Sequence, residues 1–207
     1  MSKIDLSNID SVQYDVLKEI GNIGAGNATT ALAKMLNSKI DMRVPKVQLV
    51  GFSDIASIIG SEEEVMAGIM LLIDGDIQGM MMFLLDIESA KGLVNVLMGK
   101  KNDEVTSEPE FDPMELSALN EIGNIITGAY LSALSDLTRL TISSSVPSLQ
   151  IDMAASILSV PAIEFSKLGD KVLFIETQFD TEASVNGYFV LIPELDSYDT
   201  ILSSLGL

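Results

Sequence analysis

The side chains best placed to do chemistry in this chain come as two pairs. Glu19 and Asn22 stand in the first half, Glu121 and Asn124 in the second, each displaced by the same 102 residues. Asp15 precedes the first pair and Pro45 follows it; Ser117 and Pro147 hold the corresponding places in the second copy. Glu19-Ile20-Gly21-Asn22-Ile23 recurs letter for letter as Glu121-Ile122-Gly123-Asn124-Ile125, and between 15–50 and 117–152, 13 of 36 positions are identical without a gap. A repeat that fixes polar residues as tightly as apolar ones points to two copies of a site, not merely of a scaffold. The chain has no histidine and no cysteine. That removes the commonest general base and metal ligand, together with disulfides and thiolate metal sites. Catalysis is left to carboxylates, amides, hydroxyls or a metal bound elsewhere.

Positioning these groups requires a helix. Val16, Leu17, Ile20, Ile23, Ala31 and Met35 recur at helical spacing from about Asp10 to Asn37, with Asp10 or Ser11 as N-cap. At about 100° per residue, Asp15, Glu19, Asn22 and Gly26 fall in one stripe, turned away from the apolar one. Ser117, Glu121, Asn124 and Gly128 do the same on a second helix that starts at Asp112 with Pro113 in its first turn and buries Ile122, Ile125, Ile126 and Ala133. The repeated polar residues are therefore expected to look outward. Glycine inside a helix costs about 1 kcal/mol relative to alanine. Close packing accounts for Gly24. Gly26 and Gly128, on the outward stripe, are expected instead to give a partner clearance to approach each asparagine. Asn27 projects toward the apolar side and is expected to be a satisfied buried group.

Gly21-Asn22-Ile23-Gly24-Ala25-Gly26 is not a phosphate loop. Such a loop follows a strand, and a P-loop carries a Lys-Ser/Thr pair, whereas here a helical pattern precedes the glycines and Gly24 becomes Ile126 in the second copy.

The rest of the chain reads as two similar halves, about 10–99 and 112–207, joined by the polar stretch 100–111 within one domain over 1–207. In each half a helix is followed by an extended segment containing the proline, which implies an edge strand or a bend. Residues 53–60 form one or two helical turns. Val65–Ile73 and Ile77–Leu85 flank an Asp-Gly hairpin turn, and a helix over Glu88–Met98 stops at Gly99. In the second half 153–169 reads as less regular; Val172–Phe179 and Val185–Ile192 form a second hairpin before a last helix. Helices covering one face of a mainly antiparallel sheet, arranged with a pseudo-two-fold, make an α+β fold.

The 207 residues are 47% hydrophobic, enough for a shared core, and the net charge of −18 argues against nucleic acid as a partner. No apolar run approaches the roughly 20 residues that span a bilayer, and the N-terminus lacks a basic stretch followed by an apolar one, so no membrane association is expected.

The pattern Asp/Ser-x3-Glu-x2-Asn-x22-Pro, complete twice, resembles the signature of the CheC family of bacterial chemotaxis phosphatases, which also includes CheX and FliY. Two copies favour the two-site members, and a chain ending at Leu207 favours the stand-alone CheC type. The resemblance implies a cytoplasmic, monomeric enzyme acting on the aspartyl phosphate of the CheY receiver domain. In that reading Glu19 and Glu121 grip the partner's lysine. Asn22 and Asn124 orient the attacking water, and Mg²⁺ is carried by the receiver, with no cofactor or metal of the enzyme's own. It also implies contact with the deamidase CheD, for which Ile151 to Leu158, including Asp152, is the candidate segment. The alternative is a non-catalytic adaptor that uses the same face to bind a receiver domain in the chemotaxis or flagellar switch machinery.

Overall fold

The computed structural model describes residues 9–37, 39–42, 46–100, 108–165, 171–180 and 185–207. Each half opens on a long helix whose start is dictated by its first residues. In α1 (Ser11–Met35) the Asp10 carboxylate accepts from the Gln13 N–H at 2.8 Å, and Gln13 Oε1 accepts from the Asp10 N–H at 3.2 Å. The second long helix, Pro113–Thr138, repeats this reciprocal cap with Asp112 and Glu115 and places Pro113 where no N–H is missed.

After α1 come β1 (Asp41–Met42), β2 (Lys46–Gly51), α2 (Phe52–Ile59), β3 (Val65–Gly75), β4 (Gly79–Asp86) and α3 (Ile87–Leu97). The second half runs α4 (Pro113–Thr138), β5 (Ile142–Ser144), β6 (Ser148–Met153), α5 (Ala154–Phe165), β7 (Lys171–Asp180), β8 (Val185–Pro193) and α6 (Leu195–Ser204). The order of elements is the same in both halves. Among the described residues the strands form one eight-stranded sheet in the order β1-β7-β8-β4-β3-β5, with β2 also on β7 and β6 also on β3. Every described pairing is antiparallel.

The halves are interleaved. The strand following each long helix pairs with the hairpin of the other half, β2 with β7 and β6 with β3. The hairpins meet at β4 and β8, where Met82 lies opposite Val190, 108 residues further along. That is the offset relating Gly79 to Gly187, so the pseudo-two-fold passes through this pair.

The sheet is covered on both faces, not one. Its hairpin strands lack a polar face: Met66, Met70, Met80, Met82 and Leu84 pack with Ile55 and Ile59 of α2 and with Ala154, Ile157 and Leu158 of α5. Ile69, Leu71, Met81, Phe83 and Leu85 point the other way, into the larger core with α1, α3, α4 and α6. The helix α5 occupies much of the stretch expected to be less regular. Pro161 lies inside it and removes one helical hydrogen bond, but burial of Ala154, Ile157 and Leu158 at helical spacing outweighs that loss.

The first hairpin also differs from expectation. Ile73 pairs with Gly79, so Ile77 lies in a wider turn instead of the strand. Asp76 in that turn is held to the loop after α4: its N–H donates to the Thr141 carbonyl at 2.9 Å, and its Oδ2 accepts from the Thr141 N–H at 2.7 Å.

The buried stripe of α1 is rotated from the one expected. Leu17, Ile20, Gly21, Gly24, Ala25, Ala28 and Leu32 are buried, while Val16, Ile23, Ala31 and Met35 are half-buried. Small residues mark this face because α1 lies against both the sheet and α4. A Cβ on Gly24 would stand 2.4 Å from the Tyr130 ring, and one on Gly21 2.8 Å from Val47. At the repeat-related positions the bulk is exchanged: Gly24 corresponds to Ile126 and Tyr130 to Ala28, both fully buried.

These surroundings separate two glycines that lie two residues apart on α1. Gly24→Ala should lower stability by about 1–3 kcal/mol through overpacking against Tyr130. Gly26→Ala, with nothing within 4 Å of the new methyl, should raise it by up to about 1 kcal/mol. Denaturant melts of the two variants check the opposite signs.

Candidate functional site on the two long helices

The repeated stripe faces solvent in both copies. Asp15 and Glu19 are exposed, and Asn22 and Gly26 half-buried; Ser117, Glu121, Asn124 and Gly128 are all exposed. Among the described residues a Cβ at Gly26 or Gly128 would meet nothing within 4 Å, so each helix leaves open space there beyond its asparagine. The asparagines differ. Among the described residues Asn22 Oδ1 is out of solvent with no hydrogen-bond partner, whereas Asn124 is exposed on the surface. To offer Oδ1 to an incoming group, Asn22 must turn about its side-chain bonds.

The glycine between each Glu and Asn faces inward and sets the depth of the helix. A Cβ on Gly123 would stand 2.4 Å from Ile69, as one on Gly21 would meet Val47 and Ile175. With glycine there, the backbone lies directly on sheet side chains, and the residues on either side along the outer stripe are aimed away from the core.

The repeated prolines have a counterpart in the sheet register. Ser144 opposes Ile73 and Ser148 opposes Met70, so the edge strand advances four residues while β3 advances three. The extra residue is a bulge, and half-buried Pro147, with no N–H to offer the ladder, sits in it. Met42 opposes Phe179 and Lys46 opposes Glu176, giving the same one-residue excess on the other edge. Pro45 itself lies outside the described residues. In the second copy the bulge sets the register of the strand that supports the site helix, and the first copy shows the same register excess. Val47, two residues after Pro45, lies against Gly21; Leu149, two after Pro147, lies beside Ser117.

Two expectations need correction or placing. Asn27 is exposed, not buried, and its Nδ2 donates to the Ile23 carbonyl at 3.0 Å, which satisfies it on the helix surface. Asp152, next to last in the edge strand β6, is exposed, its Oδ1 accepting from the Met153 N–H at 2.7 Å; α5 follows the strand directly and lies on the sheet face opposite the site helices.

Sequence reasoning missed the residues where the copies differ. Tyr14, half-buried, reaches from α1 to β2, its hydroxyl donating to the Val47 carbonyl at 3.1 Å. Its counterpart Leu116 makes no such bridge and lines an open cleft of about 640 Å³ with Pro113, Ser117, Asn120, Leu149 and Ile151. A comparison of the repeats at their unlike positions carries that signal. The start of α4 is also tied to α3. Lys91 approaches the Glu110 carbonyl and lies 3.4 Å from Glu115 Oε2 and 3.9 Å from the Phe111 ring centre, while Lys100 reaches Glu115 Oε1 at 3.0 Å. The Asp112 N–H bond holds the Glu115 carboxyl below its usual range; burial opposes this, and Lys100 and Lys91 reinforce it.

The architecture is therefore that of a duplicated α+β body displaying one Glu-Asn stripe per half. The CheC-like family model matches this chain twice, over residues 12–49 and 114–151. The CheY-P phosphatase CheC of Bacillus subtilis is 35% identical over 97% of both chains. The chain belongs to the CheC-like family. Among solved structures, FliY of Thermotoga maritima superposes with a TM-score of 0.74 at 23% identity, covering 95% of this chain and 96% of that one. The FliM middle domain of H. pylori superposes with a TM-score of 0.68 at 11% identity, covering 95% and 99%. Both show the shared fold. Among the described residues no helix is long and apolar enough to cross a membrane.

The charge on Glu115 gives a pH test. Because its folded pKa is lowered, its contribution to stability is fully present above the ordinary value of 4.5 and is lost as pH falls through the folded value. Glu115→Gln keeps a capping group but removes the attraction to Lys91 and Lys100. The variant should be less stable than the parent at pH 7, and the difference should close as urea titrations move below pH 4.5.

Proposed function

We propose that this chain is a protein phosphatase that hydrolyses the aspartyl phosphate of the chemotaxis response regulator CheY, using both stripes. The observation that carries this reading is the likeness, over almost the full length, to a CheY-P phosphatase, together with two complete Glu-Asn stripes turned to solvent.

The chemistry follows from the residue types. In the attack, a water oxygen bonds to phosphorus as the bond to the aspartyl oxygen breaks, releasing inorganic phosphate and the receiver's carboxylate. A carboxamide both accepts from and donates to water, and it adds no negative charge beside an anionic phosphoryl group; a carboxylate there would be repelled. Asn22 and Asn124 position the water. Glu19 and Glu121, four-residue neighbours of Asp15 and Ser117, pair with the receiver's active-site lysine. The receiver supplies Mg²⁺, which neutralises developing charge, so the enzyme's part is positioning and orientation. Gly26 and Gly128 leave room for the receiver surface around each asparagine. The segment from Ile151 to Leu158, with Asp152, is assigned to CheD; its part in α5 lies on the side away from the site helices, while Ile151 faces α4.

Phosphate release from the phosphorylated receiver tests the assignment. Asn22→Ala or Asn124→Ala alone should leave partial activity, and the double variant should lose nearly all of it with its melting temperature intact. A double variant that retains most activity removes these residues from catalysis. Receiver binding without any phosphate release, in the unmodified chain, would establish the adaptor reading instead.

Glutamate truncation separates docking from chemistry. A charge pair desolvated in an interface costs about 2–5 kcal/mol when one partner is truncated. Glu19→Ala with Glu121→Ala should raise the receiver concentration needed for half-maximal rate far more than it lowers the rate at saturation. Unchanged affinity would overturn this division of roles.

A further inference from the structure

The two copies differ on the flank of the stripe that faces the helix N-terminus. In the first, Tyr14 spans from α1 to β2, its hydroxyl donating to the Val47 carbonyl at 3.1 Å, and Val47 is buried. In the second, Leu116 replaces the tyrosine and Leu149 replaces Val47. Leu116 is too short to bridge, and both leucines are half-buried around the cleft of about 640 Å³. Asn120 stands where the first copy has exposed Lys18, and its Oδ1 is out of solvent with no hydrogen-bond partner among the described residues.

An unpartnered buried oxygen costs free energy until a donor reaches it. The cleft therefore combines an apolar lining, from Pro113, Leu116, Leu149 and Ile151, with one waiting acceptor. That is the chemistry of a pocket for an apolar side chain next to a backbone N–H. Ser117 both lines the cleft and begins the outward stripe, so the pocket is continuous with the surface assigned to the receiver.

We propose that the second copy alone carries a specificity pocket for the receiver. An apolar side chain of the docked receiver enters between α4 and β6, and an adjacent receiver N–H donates to Asn120 Oδ1. The occupant is the receiver, on the reading given above, because the cleft opens onto the same stripe. The first copy, closed by Tyr14, docks the receiver through its stripe alone. Leu116 and Asn120 are thus specificity determinants of one site, with no part in the hydrolytic step.

The test isolates each copy by charge reversal. Glu19→Arg leaves the second site to bind, and Glu121→Arg leaves the first. Binding of the purified phosphorylated receiver domain and its phosphate release are measured in each background. Adding Leu116→Tyr should weaken receiver binding about tenfold in the Glu19→Arg chain, with the saturated rate retained. It should change nothing in the Glu121→Arg chain. Asn120→Lys should follow the same pattern, and it decides the matter if Leu116→Tyr fails to fold. Equal affinities with and without these substitutions in the Glu19→Arg chain would overturn the pocket, as would equal losses in both backgrounds. Binding that depends on Leu116 without phosphate release would uphold the pocket and overturn the phosphatase reading. Failure of the unmodified chain to bind the receiver would overturn both.

Discussion

The close approach of the two long helices to the sheet and to each other is the constraint on which the rest depends. It is made possible by missing side chains: Gly21 and Gly123 lie against Val47 and Ile69, and Gly24 receives the ring of Tyr130. Helix propensity argues against glycine at each of these places. The packing it permits, with Leu17, Ile20, Ile122 and Ile126 all buried, makes the loss worthwhile. A helix held so close has little freedom to roll. The residues on its outer stripe are consequently displayed at a fixed depth and angle.

Interleaving of the halves spreads that rigidity across the molecule. Each edge strand supports the site helix that precedes it while its hydrogen bonds go to the other half's hairpin, β2 to β7 and β6 to β3. The hairpins in turn meet at Met82 and Val190 on the pseudo-axis. Neither half can bury its sheet edge alone. Pro147 takes part in this arrangement through the one-residue bulge in which it sits, with Leu149 two positions later beside the site helix.

Duplication has also allowed the copies to diverge where the core does not restrain them. Inward positions exchange bulk in a complementary way, Gly24 with Ile126 and Ala28 with Tyr130. At the flank of the stripe, by contrast, Tyr14 closes a surface that Leu116 leaves open, and Asn22 is partly covered where Asn124 is free. The CheC-like frame is therefore common to both halves, while the surfaces that flank the two stripes are not.

The sequence by itself determined the duplication, the long capped helices, both hairpins and the outward direction of the Glu-Asn stripes. These depend on local rules: a 3.6-residue period, an Asp-x-x-Gln or Asp-x-x-Glu cap, and identity at a constant offset. Tertiary structure decided what the period could not. Val16, Ile23 and Met35 scored as core by hydrophobicity, yet glycines and alanines face the interior because backbone proximity, not side-chain volume, fills it. The stretch 153–169 read as less regular, and burial against the sheet makes α5 a helix despite Pro161 within it. The crossing of each edge strand to the other half, the second covered face and the cleft beside Ser117 all arise from contacts between residues far apart in the chain. No local pattern encodes those, because their free energy exists only once both halves are in place.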